Sequence, residues 1–121
     1  MSQPITMLVV EDEPLILLEV VDDLVERGFV VLEATNAAEA IVMLIDHPEI
    51  EVLFTDVDMP GGMDGLMLAA AVSDRWPPIK IIITSGHRNV AVEDIPTDSC
   101  FFGKPYQSEA VASAILEMMA A

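Results

Sequence analysis

Short runs of apolar, largely β-branched residues alternate along this chain with stretches of helical spacing, and that alternation restricts the fold more than any other feature. Ile5–Val10, Val30–Glu33, Glu51–Thr55, Ile79–Thr84 and Ser99–Phe102 read as strands. Pro14–Arg27, Ala37–Asp46, Gly65–Arg75 and Gln107–Met119 read as helices, and a short, weak helix is expected over Asn89–Asp94. Strands that are nearly continuous in apolar residues need cover on both faces. The pattern therefore predicts an α/β fold, a doubly wound five-stranded parallel sheet with five helices shared between its faces.

Punctuation along the chain agrees with these elements. Pro14 suits a first helical turn, Gly28 ends the first helix, Asn36 can cap the second, and Pro48 and Pro77–Pro78 close theirs. Between Gly86 and Asp98, Pro96 and scattered polar residues leave little room for a full helix, and that segment is expected to be mobile. With 121 residues and neither a repeat nor a low-complexity stretch, residues 1–121 are expected to form one domain.

Charge and hydropathy exclude several classes of partner. The net charge is −16, and the only cations are Arg27, Arg75, Lys80, Arg88 and Lys104. Direct binding to nucleic acid or to an anionic membrane would oppose that field. The apolar runs are interrupted by charge well before the ~20 residues a spanning helix needs, and no basic segment followed by an apolar core opens the chain. A cytoplasmic protein is expected. The lone Cys100 has no partner for an internal disulfide and reads as a small buried hydrophobe. His47 and His87 are isolated and belong to no metal-ligand pattern.

The residues that carry chemistry fall where strands give way to loops. Glu11 and Asp12 follow the first strand, Asp56 the third, and Lys104 the fifth, while Thr84 ends the fourth. In an open parallel sheet these carboxyl ends lie side by side and form the ligand crevice. Carboxylates held close require a cation or protons to neutralise them. A small set of hard oxygen ligands suits Mg²⁺, which keeps several waters and often bridges to phosphate, and Asp12 and Asp56 are the expected direct ligands. Asp56 can also act as a nucleophile toward phosphorus, with Lys104 as a second cation and the Thr84 hydroxyl placed for a phosphoryl oxygen. Singly, each has an ordinary reading, such as turn former, surface lysine or strand threonine; their joint placement at strand ends favours a site.

The strings Val9-Val10-Glu11-Asp12-Glu13-Pro14, Phe54-Thr55-Asp56-Val57-Asp58-Met59-Pro60-Gly61, Ile83-Thr84-Ser85-Gly86 and Gly103-Lys104-Pro105, in this order and spacing, resemble a response-regulator receiver domain of two-component signalling. The resemblance covers essentially the whole chain. It implies that Asp56 is the phosphoacceptor, taking a phosphoryl group with Mg²⁺ from a sensor histidine kinase or histidine phosphotransfer protein in a reaction the receiver itself catalyses. By the same resemblance Asp12 is a metal ligand, Glu11 a metal-site acid acting largely through water, and Asp58 a ligand through its backbone carbonyl. Thr84 and Lys104 correspond to the phosphate-contacting pair, and Pro105 to a position that usually follows a cis peptide. The family switches by moving the threonine to the phosphate and turning an aromatic on the fifth strand inward. That reshapes the face of the fourth helix, fifth strand and fifth helix for partner binding, relay or homodimerisation. Phe101 holds the aromatic position. With no hydroxyl to satisfy, its burial is expected to be favourable even without phosphate.

Two departures from the family pattern stand out. Gly61-Gly62 before Met63-Asp64-Gly65 gives one residue more than the usual loop, and the stretch from Thr84 to Lys104 is slightly short. Asp58 beside the pocket and Gly86 opening it to water favour a short-lived phosphoryl group. Three other functions compete with this reading. An aspartyl-nucleophile phosphatase would explain Asp56-Val57-Asp58, but its motif belongs on a first strand and needs no upstream Glu11-Asp12 pair. A flavin carrier would need a phosphate loop after the first strand, where acids stand instead. A phosphate-independent docking module has no need of the intact residue set. The reading is therefore a receiver, enzymatic only toward its own phosphorylation and dephosphorylation, either stand-alone or a module of a larger protein.

Overall fold

In the computed structural model, which describes residues 3–59, 61–86, 95–96 and 99–120, the apolar runs pair into one parallel sheet. Its strands are Thr6–Val10 (β1), Val30–Ala34 (β2), Val52–Asp56 (β3), Lys80–Ser85 (β4) and Cys100–Gly103 (β5). The helices are Pro14–Glu26 (α1), Ala37–Asp46 (α2), Gly65–Arg75 (α3) and Ser108–Ala120 (α4). The order across the sheet is β2-β1-β3-β4-β5, so the chain reverses its direction of travel between β1 and β3 and leaves a crevice at their carboxyl ends.

Period-2 alternation divides the core in two. Leu8, Val10, Leu53, Ile81 and Ile83 point to one face, where they meet Ala40 and Leu44 of α2 and Leu68, Ala69 and Val72 of α3. Met7, Val9, Val52, Phe54 and Ile82 point to the other, against Leu17, Val20 and Leu24 of α1 and Val111, Ala112 and Ile115 of α4. Every residue of β3 is buried, which accounts for the unbroken apolar run that ends only at Asp56.

The expected helix boundaries are met by specific hydrogen bonds. Gly28 turns at φ +97° and donates to the Val25 carbonyl at 3.0 Å, while Phe29 N–H reaches Leu24 O at 3.2 Å, satisfying the last carbonyls of α1. Asn36 Oδ1 accepts the Glu39 N–H at 2.8 Å, and Glu39 Oε1 accepts the Thr35 N–H at 2.7 Å, closing the start of α2 from both sides. Trp76 follows α3, packed on the core with the Arg75 guanidinium 4.6 Å over its ring.

Three expectations need correction or delimiting. β2, β3, β4 and β5 each extend one residue past the expected carboxyl end, because the ladder is made by backbone groups and does not stop at the first polar side chain. Asp56 is thus the last residue of β3, opposite Thr84 in the parallel register, and not the first of the loop. Four helices are seen among the described residues; the short helix expected over Asn89–Asp94, and most of the segment expected to be mobile, lie outside them.

Candidate functional site

The carboxyl ends of β1, β3, β4 and β5 bring Glu11, Asp56, Thr84 and Lys104 together around the crevice. Glu11 is tied to the sheet by its N–H, which donates to Ala34 O at 3.1 Å. Its side chain is 4% exposed and turns back over the loop, where Oε1 accepts the Glu13 N–H at 3.2 Å. Asp12 stands beside it, half-buried, and Glu11, Asp12 and Asp56 each offer a carboxylate oxygen within 4.8 Å of the others. Lys104 reaches over the group: its Nζ lies 3.4 Å from Asp56 Oδ2 and 3.5 Å from Glu11 Oε2. The Lys104 N–H is bonded to Ser85 O at 2.9 Å, and the Lys104–Pro105 peptide is cis.

The charges in this crevice are strained against one another. Burial, reinforced by the Asp56 charge, pushes the Glu11 carboxyl up to about 7 from an ordinary 4.5, with the Glu13 N–H and Lys104 opposing. Burial also raises Asp56, against the pull of Lys104 and a hydrogen bond from the Asp58 backbone. For Lys104, burial disfavours the ammonium, but the Asp56 and Glu11 carboxylates outweigh it and raise the pKa. Two acids and one lysine therefore leave a negative excess that a cation would relieve. Asp56 Oδ1 and Thr84 Oγ1 are buried without a hydrogen-bond partner in the structure. Unsatisfied polar atoms are costly, and here two of them belong to residues that stand opposite one another at the ends of β3 and β4.

Phe101 departs from its expectation. It is 38% exposed, because Cys100 and Phe102 take the inward positions of β5 against the α1/α4 face and alternation sends Phe101 the other way. Burial in this state is not favoured by the missing hydroxyl alone. Asp58 sits two residues past Asp56, partly buried.

Sequence reasoning missed two residues. Tyr106 packs edge-on to Phe54 with centroids 5.7 Å apart, and burial together with the Glu11 and Asp56 charges holds its phenol in the neutral form by raising its pKa. Its signal was its place directly after Lys104-Pro105, where the chain turns back into the domain. Ser108, first in α4, donates through Oγ to Asp23 Oδ2 at 2.8 Å, tying α4 to α1. A contact spanning that distance in sequence leaves no local mark.

Comparison with known proteins places this geometry. Residues 7–115 match the response regulator receiver domain family. The chain is 31% identical over 99 residues to the response regulator receiver protein CpdR of Brucella abortus, covering 79% of this chain and 81% of that protein. It is 32% identical over 123 residues to the sensor kinase CckA of the same organism, covering 98% of this chain but only 13% of the kinase. A crystal structure of a response regulator receiver protein from Sinorhizobium medicae superposes with a TM-score of 0.88 at 29% identity, over 98% of this chain and 96% of that one. Receivers of this family are phosphorylated by histidine kinases and typically bind Mg²⁺ through acidic residues, for which Glu11, Asp12 and Asp56 are the cluster present here. By sequence, topology and crevice alike, the chain belongs to the response regulator receiver domains of two-component signalling.

Proposed function

We propose that Asp56 is the phosphoacceptor of this receiver. The observation that carries the reading is the Asp56 carboxylate itself: buried at a strand end, with Oδ2 facing Lys104 and Oδ1 without a partner. A carboxylate oxygen of Asp56 attacks the phosphorus of a phosphohistidine on a sensor kinase or phosphotransfer protein. A P–O bond forms, the P–N bond breaks, and the imidazole leaves with a proton from solvent. Lys104 pairs with the phosphoryl oxygens as the carboxylate charge is consumed, and the Thr84 hydroxyl supplies the donor that its buried position otherwise wastes.

The oxygen donors of Asp12 and Asp56 and the Asp58 backbone carbonyl fit a hard cation, and Glu11 fits a role through water. Bound there, Mg²⁺ would offset charge on the transferring group. Thr84 and Phe101 form the switch in this reading, with exposed Phe101 turning inward once Thr84 has moved to the phosphate and with β5 and α4 reshaped for a protein partner or a second copy. The net charge of −16 directs the output to proteins and away from nucleic acid or membrane, and no described helix is long and apolar enough to cross a membrane. Autophosphorylation from acetyl phosphate, followed by intact mass, tests the proposal. A Mg²⁺-dependent adduct lost in Asp56→Asn supports it, whereas an adduct retained by that variant would place the acceptor elsewhere.

A further inference from the structure

Helix α3 begins against the main chain of the proposed phosphoacceptor. Gly65 is its first residue, and the Gly65 N–H donates to the Val57 carbonyl at 2.9 Å. A Cβ placed on Gly65 would overlap the Asp56 carbonyl oxygen and lie 2.7 Å from the Asp56 carbonyl carbon and 2.8 Å from Val57 Cα. All three neighbours are backbone, and that backbone has no room to give. Asp56 lies in the ladder opposite Thr84, and Val57 N–H is bonded to Thr84 O at 2.8 Å. Gly65 is not among the positive-φ glycines, so closeness of approach, and not backbone freedom, demands glycine here. Asp64 fixes the first turn by accepting the Met67 N–H at 2.9 Å.

The loop between β3 and α3 therefore leaves Asp56 and returns to the same point. Its outer part carries the additional residue at Gly61-Gly62, with Gly61 at φ +98° and nothing within 4 Å of a Cβ on Gly62. We propose that Gly65 is a positioning residue that clamps the Asp56–Val57 peptide, so that the acceptor carboxylate keeps its place whatever the length of the loop beyond it. This rests on the reading of Asp56 as acceptor. The longer loop is tolerated because its base is pinned.

The test compares Gly65→Ala and a deletion of Gly62 with the parent. The readouts are the Val57 and Asp58 amide signals in ¹⁵N–¹H spectra, thermal melting, and the Mg²⁺ dependence of phosphoryl uptake from acetyl phosphate. Folded Gly65→Ala should shift both amides and lose about tenfold or more in uptake at a given Mg²⁺ concentration, and the Gly62 deletion should stay within about twofold of the parent, since small misplacements of reacting groups are costly. Parent-like amides and uptake in folded Gly65→Ala would overturn the proposal. So would displaced Val57 and Asp58 amides in the Gly62 deletion, which decides the matter if Gly65→Ala is too unstable to purify. A parent protein that acquires no phosphoryl group would defeat the acceptor reading instead, while the amide comparison would still decide the clamp.

Discussion

Glu11→Gln should stabilise the metal-free protein at alkaline pH while weakening its hold on Mg²⁺. Glu11 is 4% exposed, and its carboxyl is pushed up to about 7 from 4.5 by burial and by Asp56. The folded state thus binds this proton more tightly than the unfolded chain, so ionising Glu11 costs the fold free energy. The penalty is absent below the unfolded pKa, grows between 4.5 and about 7, and is constant above. At about 1.4 kcal/mol per tenfold change in proton affinity, its ceiling is about 3 kcal/mol. Lys104, 3.5 Å away, keeps some of its attraction only for the charged form, and the neutral amide forfeits that. The glutamine retains an oxygen for the Glu13 N–H, while its amide nitrogen takes the place of the oxygen beside Lys104 and offsets part of the gain. The expected gain is on the order of 1–3 kcal/mol at pH 8 and under about 1 kcal/mol at pH 5. Urea unfolding in EDTA at the two pH values measures it. Adding Mg²⁺ should then stabilise the parent more than the variant, since a ligand that binds only the folded state adds stability by mass action. A variant no more stable than the parent at pH 8, or one whose gain is the same at both pH values, would refute the reasoning.

Other substitutions probe separate parts of the account. Thr84→Val removes a buried hydroxyl that has no partner, so the unphosphorylated protein should hold or gain about 1 kcal/mol in urea unfolding while the phosphoryl group, followed by mass, decays faster or forms more slowly. Leu53→Ala at a fully buried position of β3 should cost about 2–5 kcal/mol in chemical denaturation. Asn36→Ala should cost about 1 kcal/mol through loss of the α2 cap, read as a lower melting temperature with phosphoryl uptake unchanged.

Much of the fold was legible because its central strands, β1, β3 and β4, are buried on both faces. Val52–Phe54 and Ile81–Ile83 announce a parallel sheet by continuous apolarity, and Gly28 and Asn36 mark helix ends by backbone and side-chain chemistry that is local. The gathering of Glu11, Asp12, Asp56, Thr84 and Lys104 followed from placing each at a strand end in a sheet of this type. What the sequence could not reveal was long-range or a matter of clearance. Ser108 bonds to Asp23 across two helices, and Gly65 reads as an ordinary helix start until the Asp56 carbonyl is seen beneath it. The orientation of Phe101 depends on which of three neighbouring residues faces the core, and Cys100 and Phe102 fill the inward places. The carboxyl ends of β2 to β5 lie one residue beyond the apolar runs because apolarity marks buried side chains, whereas ladders are made by peptides.

The most direct test of the central claim is the intact mass of the protein after incubation with acetyl phosphate, with and without Mg²⁺, for the parent and for Asp56→Asn. The account predicts one phosphoryl adduct in the parent, dependent on Mg²⁺, and none in the variant. An adduct that persists in Asp56→Asn, or a parent that gains none with Mg²⁺ present, would contradict it.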